Sequence, residues 1–327
     1  MSIIKPDNII TEQPSLEQLP ESFAIWVDSL STIRLTGEES HSYLQGQVTC
    51  DVNQVAEKGL LTGSHCDAKG KVFSVFRLFE QAQSLHLLQH QDSIEQSLSE
   101  LKKFGVFAKV EIEKSAFSFL CLVGQESENW LKQQFSQLPD ELNPVITEKE
   151  STLIYLAGQR TRYLLINEAN QLTSLALETK LPIYNHNVWT LLEITEGFPQ
   201  LNQHSVQKFV PQMLNVDAIN GISFNKGCYL GQETVARMQY LGKNKKVMTA
   251  FDGKASQSTE LSLEKQVSEN WRSGGDVIAS YIADNEQCYL QAVVAKDDEP
   301  NQYRLKVNEL PLTQINLPYL INKSEQE

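Results

Sequence analysis

Short runs of alternating apolar and polar residues, joined by tight turns, limit most strongly the folds that this 327-residue chain can adopt. Residues 63–79 are typical of two strands and a turn, because Gly70 can take the positive φ that such a turn needs. Similar runs at 31–35, Ser84–His90 and Phe117–Val123 lie among helical segments. Hairpins mixed with helices predict an α+β fold rather than a repeated βαβ sheet.

Helical periodicity and capping residues predict where the helices begin. Helices are predicted at residues 37–44, 93–103 and 127–138, and from residue 232 onward. We expect Asp92 to be the N-cap of the helix over 93–103, since a carboxylate there can accept from the first free backbone N–H groups. A further strand is expected at 106–112, where alternation returns.

The pattern divides the chain into three parts. Residues 1–21 are polar, contain three prolines and are expected to form a loosely held leader. Residues 22–242 form the main α+β region. After Gly242 the pattern changes to short alternating runs separated by turn residues, and this pattern predicts a small β-barrel over 243–327.

Charge and cysteine usage exclude several classes of protein. The net charge of −13 disfavours a general nucleic-acid-binding surface, and no apolar run approaches the ~20 residues of a membrane span. The five cysteines form no Cys-x-x-Cys pair, so neither a disulfide framework nor a metal site is predicted, and a cytoplasmic location is expected. The basic stretch Lys243-Asn-Lys-Lys246 is either a solvated linker or a local contact for RNA or an acidic partner.

The segment 223–237 has the greatest density of residues that can carry chemistry. Gly227 and Gly231 flank Cys228, Lys226 precedes that thiol by two residues, and Arg237 follows it. Positive charge and the N-terminus of a helix both favour a thiolate. Cys228 is therefore either a functional thiol or a small buried thiol in a turn.

The same segment resembles a known protein family. Lys226-Gly-Cys-Tyr-Leu-Gly-Gln-Glu233 is similar to the K-G-C-[YF]-x-G-Q-E signature of the YgfZ family of folate-binding, tRNA-modification-related proteins, distant relatives of the glycine cleavage system aminomethyltransferase (GcvT). Weaker similarities precede it in the same order: Leu35-Thr-Gly37, Tyr43-Leu-Gln-Gly-Gln-Val-Thr-Cys-Asp51, Ala68-Lys-Gly-Lys71, Ile194-Thr-Glu-Gly-Phe-Pro199 and Pro211-Gln-Met-Leu-Asn215.

This resemblance implies a multi-lobed, ring-like α+β arrangement, with a folate-binding region of two interleaved lobes over residues 22–242, that ends in a small β-barrel. Tetrahydrofolate or a derivative would bind near the centre, on Trp26 and Trp189, unless these are core tryptophans. An indole face can stack on a pterin or aminobenzoyl ring. Cys228 would be the reactive thiol at the pocket rim, with Lys226 as its positive neighbour.

Two positions depart from the family pattern. Cys50 stands where relatives often have Asn, and Thr195 stands where the aminomethyltransferases have a glutamate that contacts the pterin, so Glu196 is the alternative acceptor. Asp92 lies near the position of their catalytic aspartate.

The resemblance implies a folate-binding protein that supports tRNA modification by maintaining iron–sulfur enzymes such as tRNA methylthiotransferases. The partners expected are therefore folate and iron–sulfur enzymes, with tRNA affected only indirectly. The alternatives are a folate-dependent one-carbon transferase of the aminomethyl type and an interaction module whose folate pocket is vestigial.

Overall fold

A computed structural model describes residues 5–242, 244–256, 261–296 and 302–321. The first strands are β1 (Phe23–Trp26), β2 (Leu30–Thr36), β3 (Leu60–Cys66), β4 (Val72–Gln81), β5 (Ser84–His90), β6 (Glu111–Lys114), β7 (Phe117–Val123), β8 (Val145–Glu148), β9 (Ser151–Leu156), β10 (Arg162–Glu168) and β11 (Ile183–Tyr184). The later strands are β12 (Lys246–Lys254), β13 (Leu263–Val267), β14 (Asn270–Ser273), β15 (Gly275–Ile282), β16 (Gln287–Ala295), β17 (Tyr303–Leu305) and β18 (Pro311–Ile315). The helices are α1 (Ser40–Gln45), α2 (Val55–Lys58), α3 (Gln91–Gly105), α4 (Gln125–Gln134), α5 (Ala169–Glu178), α6 (His186–Thr195) and α7 (Gln232–Tyr240).

These strands form three sheets, which confirms the predicted α+β class. The five-stranded sheet has the order β3-β4-β5-β2-β6, and the six-stranded sheet has the order β11-β1-β7-β10-β9-β8. The third sheet has seven strands in the order β14-β13-β17-β18-β12-β16-β15. The described pairings are antiparallel except that of β1 with β11.

The central strands of the six-stranded sheet, β1, β7 and β10, are buried on both faces because most of their residues are apolar. Phe23 and Ile25 pack on one face with α6, whereas Ala24 and Trp26 pack on the other with α4 and α5. Successive residues of a strand point to opposite faces, so each helix layer takes every second residue of β1. Helix α6 also packs on β15 and β16, and it therefore lies between this sheet and the C-terminal sheet.

The seven-stranded C-terminal sheet is a nearly closed barrel, as predicted. Its strand order begins with β14 and ends with β15, which are consecutive in the chain and separated only by Gly274. The backbone N–H of Gly274 donates to the carbonyl of Leu263 at 2.7 Å, so the two ends of the sheet meet there. Closure of this kind covers strand edges that would otherwise stay unpaired. The boundary at 242/243 stays a prediction, and Lys243 lies outside the described residues.

Three local expectations are wrong. Residues of the leader are held firmly: Leu19 lies in the core of the six-stranded sheet, and the carbonyl of Pro14 accepts from the Tyr281 hydroxyl at 2.7 Å. The cap of α3 is His90, whose Nδ1 accepts from the N–H of Asp92 at 3.2 Å, so Asp92 lies inside the first turn. The expected strand at 106–112 begins only at Glu111.

In the part of the chain that the structure describes, no helix combines the length and apolar character needed to cross a membrane.

Candidate functional site

The signature loop that carries Cys228 is fixed by contacts with residues far away in the sequence. Lys226 Nζ donates to the carbonyl oxygens of Val48 at 2.9 Å and Cys50 at 2.7 Å. The N–H of Leu230 donates to the carbonyl of Gly46 at 3.0 Å. The loop therefore lies against the segment 46–50, which belongs to a second motif of the sequence resemblance.

A third motif meets the loop at Gly231. This residue has φ +83°, and a Cβ there would lie 2.4 Å from the carbonyl oxygen of Asp67 and 2.9 Å from the Cα of Gly70. Gly70 itself has φ +73° in the β3–β4 turn, as the turn sequence predicts. Gly231 is therefore required both for its conformation and for close packing of the loop on the hairpin. A Cβ on Gly227 would meet nothing within 4 Å, so packing does not require glycine there.

Cys228 is exposed, whereas Cys50, Cys66, Cys121 and Cys288 are buried. Cys50 packs among apolar side chains, and burial raises the pKa of its thiol to about 12. The alternative of a buried thiol in a turn is therefore wrong for Cys228, which is the cysteine that solvent can reach.

Lys226 is chiefly an anchor of this loop in the structure. Burial lowers the pKa of its ammonium to about 8, although the neighbouring Cys50 and Asp51 act in the opposite direction. Its ammonium lies 5.2 Å from the ring centroid of Tyr229 and donates to two carbonyls. An effect of Lys226 on the Cys228 thiol stays a prediction, and Arg237 is paired with Glu233 at 3.4 Å.

A cavity of about 720 Å³ lies between the five-stranded and the six-stranded sheets. Its lining comes from β3, β4, β9 and β10, from the segment that follows α6, and from the C-terminal tail. We call it the central cavity and define it by Thr62, Arg77, Tyr155, Arg162, Glu196 and Phe198. Its volume lies within the usual range for small-molecule sites, about 300–1,000 Å³.

The floor of the central cavity is a buried charge network. Arg77 binds the Glu193 carboxylate with both terminal nitrogens, at 2.9 and 3.0 Å, and Arg162 Nη1 binds it at 2.7 Å. Burial opposes ionisation of Glu193, but the two guanidinium groups outweigh it and hold the pKa of this carboxyl below its usual range. The Arg77 guanidinium also stacks on Phe198, 3.6 Å from the ring centroid.

Some hydrogen-bonding capacity in this network is unused. Arg162 Nε, Trp189 Nε1 and Gln200 Oε1 are buried without a hydrogen-bond partner. Unpaired buried polar atoms are uncommon because each costs about 1–3 kcal/mol. Of these residues only Arg162 also lines the cavity, where the charged side chains of Arg77 and Glu196 line it as well.

The two predicted tryptophans are not brought together. Trp26 and Trp189 lie on opposite faces of the six-stranded sheet, in different core clusters. Trp189 is fully buried, with the guanidinium carbons of Arg162 and Arg77 at 5.1 and 5.8 Å from its ring centroid, so it lies behind the cavity floor. Trp26 borders a separate groove of about 740 Å³, which we call the Trp26 groove and define by Trp26, Ser31, Gln91, Phe117 and Asn170.

The structure decides which of two neighbouring residues faces the cavity. The hydroxyl of Thr195 donates to the carbonyl of Leu192 at 3.0 Å and is therefore directed into α6. Glu196 lines the central cavity, and its carboxylate lies so close to Gly158 that a Cβ there would be 2.4 Å from Oε2. Glu196, and not Thr195, presents an acceptor to a ligand.

The buried network was missed in the sequence, although a signal was present. Arg77 interrupts the apolar run of β4, and Glu193 interrupts that of α6. A single charge in an otherwise buried element needs an opposite charge to compensate its loss of hydration. The pairing partner could not be found from spacing, because Arg77 and Glu193 are 116 positions apart.

No cluster of three or more His, Cys, Asp or Glu side chains with the geometry of a metal site occurs within the described ranges.

Residues 244–309 match the family model described as YgfZ, beta-barrel domain. The tRNA-modifying protein YgfZ of Colwellia psychrerythraea is 49% identical over 312 residues, which cover 94% of this chain and 96% of that protein. The protein of the same name from Vibrio vulnificus is 40% identical over 315 residues, which cover 94% and 95%. The chain belongs to the YgfZ family.

The YgfZ fold also has a remote structural neighbour. The glycine cleavage system aminomethyltransferase T of Bartonella henselae superposes with a TM-score of 0.70 at 10% identity, over 92% of this chain and 87% of that one. The expected aminomethyltransferase-like fold is confirmed. At 49% identity across 94% of the chain, the YgfZ relative aligns with far more than the barrel that the family model covers.

Proposed function

We propose that this protein binds tetrahydrofolate or a derivative in the central cavity and supports tRNA modification in the cytoplasm by maintaining iron–sulfur enzymes such as tRNA methylthiotransferases. The observation that carries the folate part is the cavity itself, which combines guanidinium donors on its floor with a carboxylate in its wall. A pterin has both an acceptor edge and a 2-amino-pyrimidine donor edge, so it uses both kinds of group. The names of the relatives support the tRNA part.

In this proposal Glu196 accepts from the 2-amino-pyrimidine edge, and Arg77 and Arg162 face the acceptor atoms of the ligand. Trp189 holds the two guanidinium groups from behind and does not stack on the pterin. Cys228 supplies the reactive thiol at the exposed loop, and Lys226 keeps that loop in place. Five cysteines without disulfides are consistent with work in a reducing compartment.

The first test is a calorimetric titration of tetrahydrofolate into the protein and two matched variants. Glu196→Gln keeps the shape of the central cavity but removes the charge of the acceptor, so we expect about tenfold weaker binding, which corresponds to ~1.4 kcal/mol. Trp26→Phe changes the Trp26 groove and the core beside it but leaves the lining of the central cavity intact, so its affinity should equal that of the wild type. The reverse pattern would move the ligand to the Trp26 groove, and no binding to any of the three proteins would contradict a folate function.

A second test addresses the thiol. Cys228→Ala should fail to restore methylthiolated nucleosides, measured by mass spectrometry, in a strain that lacks the protein. Full restoration by this variant would show that the thiol has no role.

The alternative of a folate-dependent one-carbon transferase has less support. Asp92, the candidate for its acid–base residue, lies in the first turn of α3 and is not part of the cavity lining. Tetrahydrofolate-dependent turnover of a methylamine-type donor would nevertheless establish that activity.

A further inference from the structure

We propose that the outward side of α7, together with the Cys228 loop, is the docking surface for an acidic polypeptide segment of the iron–sulfur client enzyme. We define this α7 face by Phe224, Cys228, Arg237, Tyr240 and Leu241. The proposal rests on the proposed function, since it names how the client reaches the exposed thiol.

The α7 face presents large side chains that no other part of the described chain covers. Tyr240 is 72% exposed and Leu241 53% exposed, whereas Val235 on the opposite side of the helix is fully buried. Arg237 follows Glu233 by four residues and Tyr240 follows Arg237 by three, so the three residues lie on one side of the helix. The side chain of Arg237 is 65% exposed.

The Cys228 loop runs beside this helix. The ring of Phe224 lies 6.3 Å from the ring of Tyr240, near the end of α7, while Gly231 is the residue before its first turn. The chain between Phe224 and Gly231 therefore passes from one end of the nine-residue helix to the other. Cys228 lies within this passage and is exposed, so a molecule bound on the α7 face lies next to the loop that carries the thiol.

The positive charge of this segment favours an acidic binding partner. Residues 223–246 contain five lysine or arginine residues and one acidic residue, in a chain whose net charge is −13. Among the described residues, Lys245 and Lys246 are exposed directly after the helix, where Lys246 pairs with Asp276, and Arg237 on the helix pairs with Glu233. Complementary charge guides association and fixes the orientation of the partner.

The chemistry of the surface favours a polypeptide over RNA. Tyrosine and arginine are enriched at the centre of protein interfaces, and the aliphatic Leu241 beside them suits an apolar anchor of a protein rather than a stacked base. A tRNA extends well beyond a patch of this size, and its phosphates would meet the acidic remainder of the chain. A short acidic segment can stay within the patch.

The test measures binding of a purified tRNA methylthiotransferase with its clusters reconstituted, by biolayer interferometry. Arg237→Glu and Tyr240→Ala should each weaken binding at least tenfold, and binding should also weaken as salt is raised. The matched control is Lys132→Glu on α4, because Lys132 forms the same kind of i,i+4 pair, with Glu128, on a distant helix. This control should bind within twofold of the wild type.

The other outcomes are decisive. Equal binding by all four proteins, or no binding of the enzyme even to the wild type, would overturn the docking surface. Binding of bulk tRNA that Arg237→Glu abolishes at the same salt would show instead that the α7 face binds RNA. Titration of tetrahydrofolate into the same variants keeps the proposals separate: unchanged folate binding shows that the variants are folded and that the cavity functions, whatever the docking result.

Discussion

The floor of the central cavity is held by charged side chains that are completely buried, whereas the Cys228 loop is held at the surface by backbone carbonyls and a glycine. On the floor, Arg77 and Arg162 converge on a single carboxylate, that of Glu193. In the loop, Lys226 binds two carbonyl oxygens, and Gly231 packs on the β3–β4 turn. Both arrangements join elements that are distant in sequence.

The two regions differ in which residues can be substituted without loss of stability. In the cavity the interactions belong to side chains, so substitution of Glu193 leaves two guanidinium groups without their counter-charge in a medium of low polarity. In the loop the acceptors are backbone atoms, so any sequence supplies them, and the specificity comes from the ammonium of Lys226 and from the absence of a side chain at Gly231. We therefore expect substitutions in the cavity to destabilise the protein by leaving charges unpaired, and substitutions in the loop to destabilise it by steric overlap.

The largest effect is expected at Glu193. Glu193→Gln removes the negative charge that both guanidinium groups need, and breaking a buried ion pair in this way costs about 3–5 kcal/mol. The free energy of unfolding, measured by urea denaturation, should fall by that amount. The control is Glu128→Gln, which breaks the exposed pair with Lys132 and should cost about 0.5 kcal/mol or less. Similar losses for the two variants would show that the floor does not depend on its charge network.

A smaller effect is expected where the loop meets the hairpin. Gly231→Ala places a Cβ 2.4 Å from the Asp67 carbonyl at φ +83°, so it combines steric overlap with backbone strain, about 1–3 kcal/mol in total. Gly227→Ala is the matched control, since a Cβ there meets nothing within 4 Å.

We expect Gly231→Ala to lower the free energy of unfolding and to change the rate at which Cys228 reacts with a thiol reagent. Gly227→Ala should do neither. If the two alanine variants behave alike, the contact with the hairpin does not fix the loop.

Prediction from sequence succeeded where a local pattern carries the information. The strand Ser84–His90, the turn at Gly70 and the start of α7 were placed correctly, because alternation, a positive φ and a glycine boundary are local properties. The barrel was also predicted correctly, since many short strands with turn residues between them have few other solutions.

Prediction from sequence failed where the structure depends on contacts between side chains of elements that are far apart in the chain. Trp26 and Trp189 were expected in one pocket, yet alternation along β1 places Trp26 on the face opposite α6, and this could be derived only after the sheet order was known. Asp92 was expected as a cap because its residue type favours that position, but the imidazole of His90 occupies it. The partners of Glu193 could not be identified, since a single sequence does not show which charged residues are in contact.

Strand β3 connects the two regions, because Thr62 borders the central cavity and Cys66 leads into the turn on which Gly231 packs. Between them lies His65, which is fully buried, with Nδ1 3.0 Å from the Ser97 hydroxyl and Nε2 without a partner. Burial lowers the pKa of this imidazole from 6.5 to about 3. Protonation of His65 is therefore expected to weaken the strand that joins cavity and loop.

The last prediction follows from this pKa. The unfolded chain binds a proton at His65 below pH 6.5 and the folded chain only below about 3, so the unfolded state holds more protons between these values. Stability is then lost as the pH falls from 6.5, by about 2 kcal/mol at pH 5.

The variant His65→Gln tests this. Urea denaturation at pH 7 and pH 5 should show a difference in the free energy of unfolding that is smaller than in the wild type by that amount. Ser97→Ala keeps the imidazole and removes only its neighbour, so it should lower stability at both pH values and leave the difference unchanged. An equal loss at pH 5 in the wild type and His65→Gln would mean that other groups determine the acid sensitivity of this strand.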